Sequence, residues 1–177
     1  MITRLRIKGY KSLEDIELTD LSRLIVLFGP NAAGKSNLLD ALDLLSFLAK
    51  EDTLIMAFQR HRGNRTNNPL PVRWFFHGAQ ENDHRERKIE VEVDLELQER
   101  IVEQLNHELE QREEHSGLER AYTRVTQPRL RYQLTIAYSP EARSLYVTHE
   151  SLVPLTKQGK PHETIVPYIK HDKRSKR

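Results

Sequence analysis

The chain has no cysteine among its 177 residues. That excludes disulfides and thiolate metal sites, and it gives no sign of an oxidising compartment. No apolar run approaches the roughly 20 residues that a membrane-spanning helix needs. The N-terminal Met1-Ile2-Thr3-Arg4-Leu5-Arg6 alternates and lacks the apolar core of a signal peptide, so the cytoplasm is the expected compartment, with no membrane partner. Neither sign of charge dominates: 28 Lys plus Arg against 26 Asp plus Glu leave a formal charge of +2. Overall charge therefore argues neither for nor against a nucleic-acid partner. The 8 histidines are scattered, with no pair at the helical spacing of an HExxH site. There is no internal repeat, no low-complexity stretch, and no Ser/His/Asp or paired-carboxylate arrangement. No catalytic residue is assigned. The length predicts one domain, or one large piece of one, with enough chain to bury a core.

What the chain does have is Gly29-Pro30-Asn31-Ala32-Ala33-Gly34-Lys35-Ser36, a complete G-x-x-x-x-G-K-[ST] loop. The run Leu24-Ile25-Val26-Leu27-Phe28 precedes it and has the length and composition of a buried strand. From Asn37 to Leu48 follow apolar residues at Leu38, Leu42, Leu45 and Leu48, which is helical spacing. At average residue usage such a pattern arises by accident in roughly one chain of this length in 150. The residue types answer to a chemistry. Gly29 and Gly34 allow close backbone approach, so that successive N–H groups can surround phosphates. The helix start adds unpaired N–H groups and the positive end of its dipole. Lys35 is expected to reach the β and γ phosphates, and the Ser36 hydroxyl to join the shell of a magnesium ion. The expected site is Gly29, Pro30, Asn31, Ala32, Ala33, Gly34, Lys35, Ser36 and Asn37, with ATP and Mg2+ as its occupants and Ser36 as the metal ligand.

Elsewhere, Met1 to Tyr10 alternates and reads as a strand, Lys11 to Asp15 as a turn, and Leu13 to Leu18 as a second strand. Ser22 to Phe28 is the predicted third. Phe58 to Leu70 is basic and polar, with Gly63 and Pro69, and reads as a loop. Val72 to His77 reads as a short strand whose Trp74, Phe75 and Phe76 are core residues before they are base-stacking ones. Lys88 to Leu97 alternates, with Ile89, Val91, Val93, Leu95 and Leu97 on one face and mostly acids on the other. An amphipathic packing helix is expected over about 97–119, too short for a coiled coil. Arg129 to Tyr138 and Ser144 to Leu152 read as a hairpin about Ser139 to Arg143, and Thr164 to Ile169 as a last strand. A largely antiparallel sheet around one phosphate-loop helix differs from the repeated βαβ units of a simple kinase or GTPase.

The opening Ile2 to Leu13, with its Tyr10-Lys11-Ser12 step, followed by Phe28 to Leu42 with Gly34-Lys35-Ser36-Asn37, resembles the start of an ABC-type ATPase head. The resemblance is to the AAA family ATPases of the branch that holds the structural-maintenance-of-chromosomes proteins, the RecF-type repair proteins and the OLD-type nucleases, and it is close over about the first 50 residues. It implies an α/β fold, the P-loop NTPase of ABC type, and a head that dimerises around two ATP molecules, each held between one subunit's phosphate loop and the other's signature motif. It implies DNA-related work in repair, chromosome maintenance or phage defence, and a place for Lys11 and Ser12 near the nucleotide, where a plain turn is the alternative.

The departures are specific. Hydrolysis in that family uses an apolar strand ending in Asp-Glu, and Glu90-Val91-Glu92-Val93-Asp94-Leu95-Glu96 alternates instead. A Leu-Ser-Gly-Gly signature and a switch histidine are also missing. The chain therefore reads as the N-terminal part of one head. It divides into 1–50 with the loop and helix, a loop-rich connection over 51–87, strands with the inserted helix over 88–170, and a basic tail over 171–177. Rivals are a split protein whose second half is another chain, a P-loop phosphotransferase, and a non-hydrolysing nucleotide-sensing module. DNA is an expected partner, with the cluster Arg60-His61-Arg62-Gly63-Asn64-Arg65 and the tail Lys170 to Arg177 as candidate contacts and solvated surface as their alternative.

Overall fold

The computed structural model describes residues 1–60, 71–80, 84–116 and 124–172, with the backbone alone for 112–116. It is an α/β fold built on one open antiparallel sheet. Strands β1 (Ile2–Tyr10), β2 (Leu13–Leu18), β3 (Arg87–Glu96), β4 (Arg129–Ser139), β5 (Ser144–Pro154) and β6 (Ile169–Asp172) lie in the order β2-β1-β3-β4-β5-β6. Helix α1 (Lys35–Leu48) covers one face, assisted by α2 (Leu54–Arg60), while α3 (Glu99–Ser116) leaves the sheet between β3 and β4.

The alternation read in the sequence sets this arrangement. Leu5, Ile7, Ile89, Val91, Val93, Leu134 and Ile136 share one face and meet Leu38, Ala41 and Leu44 of α1 in a single core. The helix stripe is centred slightly off the expected one, since Leu42, Leu45 and Leu48 are only partly buried. β1 and β3 approach so closely at Gly9 that a Cβ there would stand 2.2 Å from the Lys88 carbonyl oxygen, and Gly9 also holds a φ of 76°. Glycine is required at that crossing.

The opposite face is a lattice of ions. Arg131 grips Asp94 with two bonds of 2.6 and 2.7 Å, and Arg6 grips Asp15 at 2.8 and 3.0 Å. Glu92 receives Arg4, Arg6 and Gln133. This face is less wet than its alternation predicts, because Asp94 is buried to 6% exposure in the middle of the sheet. The Asp94 hydrogen bonds hold the Arg131 guanidinium even more firmly protonated than usual, against the opposing effect of burial.

Four predicted elements come out differently. Ser22 to Phe28 is not a strand: it is irregular backbone, with Leu24, Val26 and Phe28 at 80%, 73% and 92% exposure. A strand buried on both faces needs neighbours on both edges, and none of the described strands pairs with it. Phe58 to Arg60 belongs to α2 and not to a loop, with the Met56 N–H bonded to Thr53 Oγ1 at 3.3 Å at the helix start; the rest of that loop, 61–70, lies outside the described residues. Val72–Phe75 is a 3-10 turn, opened by Pro71 and closed by the Phe76 N–H on the Arg73 carbonyl at 3.0 Å. A strand would send Phe75 and Phe76 to opposite faces. The turn buries both in one core, where Phe75 meets Phe58 edge-on at 5.3 Å and Phe76 stacks on it at 6.3 Å, while Trp74 stays 41% exposed. The last strand begins at Ile169 and not Thr164, since Pro167 lacks an N–H and the ladder to β5 starts only where Ile169 meets Leu152.

Candidate nucleotide-binding site

The segment Gly29 to Ser36 leads from the exposed apolar run into the first turn of α1. Its backbone curls tightly: φ is 149° at Gly29, 64° at Ala32 and 86° at Gly34. The Ala33 N–H donates to the Pro30 carbonyl at 3.4 Å, folding Asn31 and Ala32 into a turn. Gly34 caps α1 in the left-handed conformation, without a side-chain cap and without an acid in the first helical turn. A Cβ at Gly34 would meet Leu13 Cδ2 at 3.1 Å and Ser12 Oγ at 3.3 Å, so conformation and space both select glycine. The helix start thus offers N–H groups and the positive dipole end with no carboxylate of its own opposite them.

Lys35 folds back over the loop. Its Nζ donates to the carbonyls of Gly29 at 2.8 Å and Pro30 at 2.6 Å, which brings the ammonium to the loop's first residues. Ser36 lies on the first turn of α1, exposed. Asn37 faces the sheet side, its Nδ2 donating to Ser12 Oγ at 2.6 Å. The structure therefore brings the nine expected residues together in one turn and helix start.

The β1–β2 turn is the floor under this loop. Lys11 has a φ of 47°; its N–H donates to the Phe75 carbonyl at 2.9 Å, and its own carbonyl meets His77 Nδ1 at 2.8 Å. Its ammonium pairs with Asp40 of α1 and lies 4.8 Å from the Phe75 ring centre. The Tyr10 hydroxyl donates to the same carboxylate at 2.9 Å. Burial, reinforced by the Asp40 charge, pushes the Tyr10 hydroxyl well above its ordinary pKa, so it remains a donor. Ser12 thus touches the loop itself, whereas Lys11 is committed to Asp40. Asp40 was missed in the sequence, although it stands three residues after Asn37, a spacing that puts both on one helix face.

This donor set fits a phosphate chain: backbone N–H groups, a helix dipole, one ammonium and one hydroxyl. For magnesium it supplies the Ser36 hydroxyl alone, which suits an ion that keeps waters and shares phosphate oxygens. Among the described residues no group of three or more His, Cys, Asp and Glu could hold a metal. Nor does β3 supply the acidic pair, since Glu92 and Asp94 are spent on arginines in an antiparallel strand.

A glycine loop that opens a helix laid across an antiparallel sheet is an arrangement suited to holding the phosphates of a nucleotide. The chain belongs to the AAA ATPase domain family, whose description matches it over residues 1–173. It is 47% identical over 47 residues to the DNA replication and repair protein RecF of Bacteroides fragilis, covering 27% of this chain and 13% of that protein. It is also 47% identical over 45 residues to the OLD nuclease of Thermus scotoductus, covering 25% and 8%. The chain matches only these small fractions of its curated relatives' length. A solved structure from work on the ATP-driven dimerization and DNA-stimulated activation of SMC ATPases aligns over 86% of this chain and 69% of that one, at 16% identity and a TM-score of 0.44. The RecF and OLD nuclease relatives belong to the branch inferred from the opening residues.

Proposed function

We propose that this chain is the ATP-binding portion of an ATPase that couples ATP binding and hydrolysis to work on DNA in the cytoplasm, in repair, chromosome maintenance or phage defence. The observation that carries this reading is the loop from Gly29 to Ser36, closed by Lys35 and seated on Ser12, at the start of α1. Its amides and Lys35 would hold the phosphates, and Ser36 the magnesium ion. When bound, the metal and triphosphate supply the electrophile and its charge compensation. What the chain's own residues contribute is binding and orientation: Asn37 and Asp40 fix the first turns of α1 to the β1–β2 turn, so the N–H groups are aimed before the nucleotide arrives.

The acidic half of the site comes, in this reading, from a parallel strand that pairs with Leu24 to Phe28. Five apolar side chains left 36% to 92% exposed motivate it, each worth roughly 1.5–3 kcal/mol when fully buried. That strand lies in further sequence or in a second chain, and ATP-bound heads pair as dimers. The test is ATP turnover by the 177-residue chain and by the protein extended past Arg177, each with and without duplex DNA. The chain alone is expected to bind ATP and turn over almost none, and the extended protein to hydrolyse it and respond to DNA. Sustained turnover by the chain alone would overturn the proposal.

A further inference from the structure

The residues expected to meet DNA at 61–65 and 173–177 lie outside the described residues. The unusual backbone of the described chain gathers instead around the phosphate loop. Four non-glycines among the described residues hold a positive φ: Lys11 at 47°, Asp20 at 54°, Ala32 at 64° and Arg143 at 47°. Arg143 belongs to the β4–β5 hairpin. Lys11 lies in the turn beneath the loop, Asp20 at the head of the segment that leads to it, and Ala32 in the loop itself. A residue with a Cβ adopts this region at a cost, which aspartate tolerates better than most.

What holds each of them differs. Lys11 is fixed by its N–H on the Phe75 carbonyl at 2.9 Å, by its carbonyl on His77 Nδ1 at 2.8 Å and by its ammonium on Asp40. A strained residue persists where its surroundings over-determine it, and Lys11 meets that condition. Ala32 does not. It is exposed, and the bond that closes its turn, from the Ala33 N–H to the Pro30 carbonyl, is long at 3.4 Å. A positive φ at the third place of such a turn normally calls for Gly or Asn. Yet this is the conformation the site needs, because alternating right- and left-handed backbone turns successive N–H groups toward one anion. Of the loop's three positions at positive φ, Gly29, Ala32 and Gly34, only Ala32 carries a side chain. Asn37 and Asp40 fix the helix end of the site, so the freedom is confined to the tip of the loop.

We propose that Ala32 sets the affinity of the loop for phosphates: part of the empty population leaves the curled state, and a bound triphosphate draws it back. This rests on the ATP reading above and names the residue that tunes it. The apparent Kd is the intrinsic value divided by the fraction of loops already curled, so Ala32 weakens the hold and eases release. In Ala32→Gly two effects oppose. Glycine has more freedom in the empty loop, which weakens binding, and lacks the Cβ penalty, which strengthens it. At a positive φ the second effect is the larger.

The experiment is titration calorimetry of the full 177-residue chain with magnesium and ATP, and separately with magnesium and inorganic triphosphate. The parent is compared with Ala32→Gly, Ala32→Asn and Ala32→Val, and unchanged unfolding midpoints confirm that the variants fold. Ala32→Gly should bind both ligands about fivefold more tightly. Ala32→Asn should bind at least as tightly as the parent, since asparagine accepts a positive φ. Ala32→Val should bind about tenfold more weakly, since a β-branched residue resists it. That order follows tolerance of a positive φ and not size, as asparagine is larger than alanine. If Ala32→Gly is no tighter than the parent, or Ala32→Asn is weaker, the proposal is overturned while the ATP reading stands. If the order appears with ATP and not with inorganic triphosphate, the side chain at 32 acts on the base or sugar, and the proposal is likewise overturned. Binding of neither ligand by the folded parent and Ala32→Gly overturns the ATP reading, and the proposal with it.

Discussion

The strand β3 is apolar at every second position and the segment Leu24 to Phe28 at every position, yet it is the less apolar of the two that is buried. In β3, Ile89, Val91 and Val93 are 2%, 5% and 6% exposed, with β1 and β4 hydrogen-bonded on its two edges. In Leu24 to Phe28 exposure runs from 36% to 92%, with no described strand on either edge. Apolarity therefore does not make a strand. Paired edges do, because backbone N–H and C=O groups must be satisfied before side chains can leave water. The stability of this protein accordingly resides in the antiparallel sheet and the inner face of α1, while the proposed nucleotide site is a loop hung from a segment that the sheet does not secure.

Deleting a core ring should break the secured region with the largest effect. Phe58→Ala removes the partner of Phe75 and Phe76 and is expected to cost roughly 3–5 kcal/mol, read from the midpoint of urea unfolding. Next comes the ion lattice. Arg131→Met leaves buried Asp94, among the described residues, with the more distant Arg4 as its cation, at 3.8 Å, and should cost roughly 3 kcal/mol by the same measurement. The unsecured region should respond in the opposite way. Phe28→Ser removes a ring that touches little, so stability of the chain should move by no more than about 0.5 kcal/mol, and a drop of several kcal/mol would show that the segment is already packed.

The smallest effect concerns the sheet edges in acid. Hydrogen bonds from Arg6 hold the Asp15 carboxyl below its ordinary 3.8, and the bond to His149 does the same for Asp172. A carboxyl whose folded pKa is depressed contributes stability above its unfolded value and loses it as pH falls through the lower folded one. Both lie at the exposed edges of the sheet, so the change should be local. Amide exchange in β2 and β6 should quicken below pH 3.8 while β3 and β4 remain protected. Uniform loss of protection across the sheet would contradict this.

Much of this could be read in the sequence, because alternation and glycine placement are local signals. Ile2 to Leu18, Lys88 to Glu96 and the Ser139 hairpin declare period 2 or a turn outright, and Gly29 to Asn37 declares the loop. The failures lie where the deciding partner is remote. Leu24 to Phe28 reads as buried, but its burial depends on strands that no local pattern supplies. Val72 to His77 reads as β from its aromatics, yet the core needs two neighbouring rings on one side, which only a turn provides. Asp94 looks like a wet-face acid until Arg131 of β4 is laid beside it. In the site, the loop residues were readable and Asp40 was not, since its role depends on Tyr10 and Lys11 arriving from β1.

At the centre stands the binding of ATP with magnesium by the curled backbone from Gly29 to Ser36 and the Lys35 ammonium. Titration calorimetry of the parent chain and its Lys35→Ala variant decides it, since Lys35 Nζ bonds to loop carbonyls and its removal should leave the melting temperature in place. Saturable binding by the parent is expected, with affinity in the variant at least about 100-fold weaker, on the order of 2.7 kcal/mol. Equal affinity in the two, or no binding by a folded parent, would refute it.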